Sequence, residues 1–420
     1  MAVAVLAAFA VVLAPRAVRA APPKKRAAQH YGRPAPKQPA SHALDAPLRI
    51  VLFPAWLVFE LVLRQPHAAL VSAVEGSDTV RKAQDKTSDG PLKELTILPA
   101  ARFDVGMKSL VGLNGRWRYH RNDLMLQAGT WGVGTVLAHA SDRFELRPRQ
   151  FLGALTAFER REDLPFYGLG PRSRDEDRSR YPATALRLQV AHAVEPWRAS
   201  SVASTLGVRG QWNGETELAA PGMGQRYAAA YQRVELTFDS RPPLPTRGVS
   251  VRASVYEEAT FAVAGARQSW LRYGGALGAT VDLTGTRRLL SLGLQTDFVD
   301  PLQGIVPLTD LVTLGGDRLL HGYLRGRLVD RSAMVAIAEY TWPTWVFLDG
   351  VLHAAVGNVF GPRFSGAEAG ALRYSAGVGL RSTGDRRSRF ELLFAVGSRP
   401  FDEGGRIDSV RFLVGTQHGP

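Results

Sequence analysis

The side chains able to do acid–base, nucleophilic or metal chemistry are poorly grouped in this chain. There is no cysteine, which excludes thiol catalysis, disulfides and cysteine-held metals. No G-x-S-x-G and no H-E-x-x-H pattern occurs. His192, His353 and His418 stand apart from other candidate ligands and read as structural. The carboxylates alternate with arginines, as at Arg233 and Glu235. That pattern suits ion pairs along a wet surface better than proton transfer. The chain is therefore expected not to be an enzyme and to hold neither metal nor cofactor.

The densest run of reactive types is "LGGDRLLHGYLRGRLVDR", Leu314–Arg331. Gly315, Gly316, Gly322 and Gly326 give it backbone freedom, and arginines and aspartates surround a short apolar centre, Leu320 to Tyr323. His321 sits in that centre. With an ordinary value of ~6.5, it would make a contact there sensitive to pH.

Lys+Arg 52 against Asp+Glu 38 gives +14. Lys24, Lys25, Arg26, Arg33, Lys37 and Arg49 supply a local part of that excess, and the rest is dispersed. No basic patch with interleaved aromatics appears, so nucleic acid is not an expected partner. Residues 1–20 read as a secretory signal, with an apolar run from Ala2 to Ala14 and small residues near Ala20. Residues 21–94 read as a basic, Pro/Ala-rich disordered tail plus a short apolar helix over about 49–63. At ~1.5 Å per residue that helix is too short for ~30 Å of hydrocarbon, so it lies on a membrane surface or packs under a domain.

The elements that would position the loop lie in 95–420. Helical periodicity is absent there and period-two alternation replaces it. Val234, Leu236 and Phe238 alternate with Arg233, Glu235 and Thr237; Val249, Val251 and Val255 alternate with Ser250, Arg252 and Ser254. Strands are expected near 408–416, 387–397, 371–382, 345–356, 332–342, 289–299, 269–282, 247–257, 228–239, 202–212, 183–193 and 151–161. Long and short gaps alternate between them, as in a membrane barrel with short turns below and longer loops above. A signal that delivers the chain from below requires an even count. Strands at 102–113, 122–132, 134–142 and Asp142–Arg149 complete sixteen, with 95–100 in reserve. The expected fold is all-β: a 16-stranded antiparallel transmembrane β-barrel after a short helical or disordered extension. Closure is required because each unpaired backbone group in lipid costs several kcal/mol.

Three motifs then fall at consistent ends of the barrel. "FYGLG", with Phe166, Gly168 and Gly170, lies in an external loop; "LTFDSRPPLPTRG", Leu236–Gly248, spans a turn below; Leu314–Arg331 lies in the sixth and longest external loop, with five strands after it. In this order the motifs resemble those of BamA/TamA-type outer-membrane proteins, the bacterial surface-antigen superfamily, over about 95–416. Asp239, Arg241, Pro245 and Gly248 are similar to that family's turn motif. Leu320, His321, Gly322, Tyr323 and Arg325 are similar to its sixth-loop signature, and "EYTWPTW…VGNVF", Glu339–Phe360, to the strands after it.

The resemblance implies a sixth loop folded into the lumen and latched by an arginine on a wall carboxylate. Here His321 replaces that arginine and Ala355 stands at the acidic position, so the usual latch is lost as a pair. Asp317, Arg318, Arg325 and Arg327 are the candidate substitutes, with Glu339, Asp297 and Glu235 as candidate inward partners. The family's aromatic C-terminus is also missing, which leaves Val410, Phe412 and Val414 to carry the assembly signal.

The resemblance further implies periplasmic POTRA modules, but residues 21–94 show no strand–helix–helix order, and none is expected. It implies as partners outer-membrane lipid and lipopolysaccharide, the barrel assembly machinery during biogenesis, and client proteins. The expected function is an accessory factor in protein or lipid insertion or translocation, acting through a weak seam between first and last strands. A transport pore and a structural surface barrel are the alternatives.

Overall fold

The computed structural model describes residues 95–417 apart from 198, 216–217, 219, 241–248, 266, 283–287, 317–318, 345–347 and 383–388. The strands are β1 (Leu95–Asp104), β2 (Leu110–Tyr119), β3 (Asn122–Thr130), β4 (Val136–Arg147), β5 (Gln150–Phe166), β6 (Ser179–Trp197), β7 (Ser200–Asn213), β8 (Arg226–Asp239) and β9 (Val249–Ala264). They continue as β10 (Ser269–Asp282), β11 (Leu289–Gln303), β12 (Val312–Leu314), β13 (Leu328–Asp330), β14 (Ser332–Pro343), β15 (Leu348–Phe360), β16 (Arg373–Ser382), β17 (Arg389–Ser398) and β18 (Ile407–Gln417). Sixteen of them close a barrel, with β1 beside β18; β12 and β13 form a separate hairpin within the sixth loop, 304–331.

Each ladder is antiparallel, and the period-two pattern sorts the side chains. On β18, Ser409, Arg411 and Leu413 face inward, while Val410, Phe412 and Val414 face outward. Leu188, Val190, Leu206, Val234, Leu236, Val255, Leu277, Leu292, Leu352 and Phe394 are all exposed on the outer surface. An apolar belt that continuous is untenable in water and natural in hydrocarbon. Near the short turns it is edged by stacked pairs, Trp197 with Phe238 and Tyr340 with Trp342, and near the long loops by Tyr273 with Phe298. Such aromatic girdles mark the two membrane–water interfaces. No helix among the described residues is long and apolar enough to cross a membrane.

The strand count agrees with the expectation, but the first strands divide differently. The expected strand 102–113 is broken by a turn: Met107 N–H donates to Asp104 C=O at 3.0 Å and Gly106 has φ +90. The segment 95–100 therefore belongs to β1. Asp142–Arg149 is not a separate strand, because its residues through Arg147 continue β4, pairing Ser141 with Leu155 and Phe144 with Leu152 without interruption. The extension 1–94, including the signal and the helix over 49–63, lies outside the described residues.

β5 and β6 run for 17 and 19 residues, well beyond the ~9–11 a tilted membrane strand needs. The extra length is explained on the inside. Phe166, Tyr181, Tyr227, Trp270 and Val299 are buried in one cluster with Leu314, Leu320, Tyr323 and Leu328 of the sixth loop. The tall wall exists where the loop packs against it.

Candidate functional site

The site is the inward-folded sixth loop and the two walls it meets. Its first anchor is Asp310, in a short 3-10 turn at Leu308–Asp310. Arg209 of β7 donates to Asp310 Oδ1 at 2.6 Å, and the Tyr227 hydroxyl of β8 donates to Oδ2. Arg209 also reaches Glu258 at 2.5 Å and lies over the Tyr231 ring at 4.7 Å. Here the arginine is on the wall and the carboxylate on the loop. That polarity is the reverse of the latch the resemblance implies.

The second anchor lies on β16–β18. Gly322 N–H donates to Ser375 Oγ at 2.8 Å, and its carbonyl accepts from Ser409 Oγ at 2.7 Å. A Cβ on Gly322 would collide with the Val396 carbonyl, so glycine is required for this approach. Tyr323 is fully buried, and its hydroxyl donates to the carbonyls of Ser398 and Tyr374 at 2.6 and 3.0 Å. Its ring fills the space over Gly397, where an added Cβ would lie 2.6 Å from it. Burial pushes the phenol up to about 12, which keeps it a neutral donor.

His321 meets the wall one strand further round. Its ring stands edge-on to that of His353 on β15, centroids 4.4 Å apart. His353 is buried, and neither of its ring nitrogens has a hydrogen-bond partner in good geometry. Ala355, two residues on and also inward, is buried. The loop's signature position thus still meets β15, but through two imidazoles rather than an ion pair.

The expected arginine pairings are corrected. Glu339 is bonded to Arg381 of β16 at 3.1 Å, Asp297 to the Tyr256 hydroxyl and to Gln295, and Glu235 to Arg233. Among the described residues, the loop arginine that enters the interior is Arg327, only 2% exposed. It donates to Ser173 Oγ and C=O at 2.7 and 2.9 Å and shares Asp408 with Arg373 at 3.8 and 3.7 Å. Arg325 is exposed, because the turn at Gly326, φ +84, sends neighbouring side chains in opposite directions. Asp317 and Arg318 lie outside the described residues.

"FYGLG" joins this site. Phe166 is buried in the same cluster, Gly168 and Gly170 have φ +88 and +96, and Gly170 N–H donates to Val329 C=O of β13 at 3.1 Å. Asp239 ends β8, exchanging hydrogen bonds with the Ser200 hydroxyl. Arg241, Pro245 and Gly248 lie outside the described residues. Asp310, Arg209, Arg411 and Asp104 were missed in the sequence, because strand alternation does not say which inward charges will meet a loop far along the chain. No grouping of His, Asp and Glu able to hold a metal occurs among the described residues.

Protein-family models give no match to this sequence, and neither do curated proteins. Solved structures do. The crystal structure of BamA from Haemophilus ducreyi lacking POTRA domains 1–3 superposes with a TM-score of 0.55 at 13% identity, covering 77% of this chain and 70% of that one. CdiB from Acinetobacter baumannii gives 0.52 at 10% identity, covering 77% of this chain and 59% of that one. The chain is thus a 16-strand outer-membrane-type β-barrel. Its fold is that of BamA and CdiB, and no POTRA-like module occurs among its described residues.

Proposed function

We propose that the protein resides in a bacterial outer membrane and assists insertion or translocation of proteins or lipids, with its lumen closed by its own sixth loop. The observation that carries this reading is the two-sided hold on that loop, at Asp310 by Arg209 and at Gly322–Tyr323 by Ser375, Ser409 and Ser398. A pore needs an open path, which a loop tied to both walls obstructs. An insertion factor does, because a closed lumen keeps the membrane sealed while the strand seam works. The likeness to BamA and CdiB supports the same reading at the level of fold. Lipid and lipopolysaccharide at the outer face, the assembly machinery that builds the barrel, and client polypeptides are its partners. No catalysis is part of the role.

A gated pore is the second reading. A cavity of about 280 Å³ lies near the short turns, lined by Ser250, Arg252, Thr280, Ser291 and Glu339. Depletion followed by quantitative outer-membrane proteomics and lipid analysis separates the two. An assembly factor leaves a defined set of membrane proteins or lipids reduced. An unchanged inventory, with a lost solute flux, favours the pore.

A further inference from the structure

Positive charge is scattered along the sequence, but the fold gathers much of it at one end. Antiparallel order puts alternate connections at the same end of the barrel. The seven short ones, 120–121, 148–149, 198–199, 240–248, 283–288, 344–347 and 383–388, read "HR", "PR", "RA", "SRPPLPTRG", "LTGTRR", "TWVF" and "TGDRRS". Together these strings hold nine arginines against one acid, Asp385. The long connections mix the signs: 167–178 sets Arg172, Arg174 and Arg178 against Asp175, Glu176 and Asp177. Closing a barrel requires turns at the short end, but it does not require charge in them.

Two of the short turns are described in full, and they lie side by side. Glu145 N–H of β4 donates to Arg121 C=O of the β2–β3 turn at 3.0 Å, and Arg147, two residues on, opens the β4–β5 turn. Arg118, Arg121, Arg147 and Arg149 are all exposed there. The acids beside them are Glu145 and Glu195, and Glu195 is bonded to Arg143 at 3.0 Å. His120 and Arg149 hold left-handed backbone, φ +50 and +65, where glycine or asparagine would sit with less strain. Side chains kept at such positions point to a use for them.

The same turns border the lipid-facing belt. Trp117 and Tyr119 pack with ring centroids 5.5 Å apart, and Tyr119 meets the His120 ring at 4.2 Å. Tyr119, Phe144 and Leu146 are exposed beside the arginines. Guanidinium groups at the edge of an aromatic girdle lie at the depth of lipid headgroups.

We propose that the adjacent β2–β3 and β4–β5 turns bind the phosphate of an anionic phospholipid, in the leaflet at the short-turn end, through Arg121, Arg147 and Arg149. A guanidinium presents a planar fork that matches phosphate oxygens. Tyr119, Phe144 and Leu146 meet the first carbons of the acyl chains. An acidic protein would match the charge but not the apolar surface next to it. This site rests on the reading that the barrel lies in a membrane, not on the insertion role.

The test uses the full chain in detergent micelles, with native mass spectrometry reading retained phosphatidylglycerol against phosphatidylcholine of the same acyl chains. The unmodified protein should retain the anionic lipid about tenfold better, and Arg121→Gln/Arg147→Gln/Arg149→Asn should cut that preference about fivefold or more. Arg172→Gln/Arg174→Gln/Arg406→Gln removes equal charge at the long-loop end and should leave the preference intact. No preference in the unmodified protein, a preference kept by the turn variant, or an equal loss in the long-loop control overturns the proposal. Retention of polyglutamate through the three turn arginines, without a lipid preference, overturns it in favour of an acidic protein partner. Heat-modifiable gel mobility reports whether each barrel has formed. If the triple variant does not form one, Arg121→Gln/Arg147→Gln replaces it, leaves the strained Arg149 in place and should still lose about threefold. An unchanged preference there overturns the proposal. Retention is read on isolated protein, so failure here is distinct from failure of the depletion experiment.

Discussion

His321 of the sixth loop and His353 of β15 meet ring to ring, edge-on, with centroids 4.4 Å apart. Glu339, the carboxylate paired in register with His353, is already bonded to Arg381, and Arg411 lies beside the His321 carbonyl. His321→Ala removes one ring of the pair and leaves the loop glycines and Tyr323 in place. Exchange protection of the described loop residues around it should fall in that variant, and unchanged protection would refute the pairing's role.

Gly322→Ala tests the close approach of the loop to β17. Its Cβ would meet the Val396 carbonyl, which is ladder backbone and cannot give way cheaply. The loop should lift from the wall while the barrel still forms, seen as labelling by a water-soluble reagent of a cysteine placed at the half-buried Leu324, which leaves the Tyr323 anchor intact. No gain in labelling would place the hold elsewhere.

Asp310→Asn removes the charge that Arg209 and Tyr227 hold. Breaking one partner of a buried pair costs about 3–5 kcal/mol, although Glu258 remains to hold Arg209. The expected result is a lower unfolding midpoint in detergent, with Arg209→Lys intermediate and Arg209→Met as damaging as Asp310→Asn. Midpoints equal to that of the unmodified protein in all three variants would mean that the first anchor carries no load.

Tyr323→Phe keeps the ring over Gly397 and deletes two hydrogen bonds, worth about 1–3 kcal/mol together. The unmodified phenol, raised to about 12 by burial, favours the seated state less as pH climbs from its ordinary ~10 toward that value. Loop protection should therefore fall over that alkaline window in the unmodified protein and not in Tyr323→Phe. Equal alkaline sensitivity in both would assign the effect to another group.

The barrel was legible because period-two alternation and gap parity are local properties that add up along the chain. Errors came where a turn was short and a strand long. The turn at Gly106 carries no proline or Asn-Gly signal, and β4 changes no face at Asp142. The loop's place in the fold was legible from its glycines and from the five strands that follow it. Its partners were not. The resemblance marks His321 as a departure from an expected arginine, but nothing in a single sequence pairs Asp310 with Arg209, 101 residues away, or Asp104 with Arg411, 307 away. Those contacts exist because closure brings the chain's two ends and its longest loop to one interior.

Ion conductance in planar bilayers tests most directly whether the sixth loop closes the lumen. The unmodified barrel should be electrically silent or nearly so, and a variant lacking 308–327 should conduct in large, stable steps. Unmodified protein that conducts as well as the deletion would contradict the account.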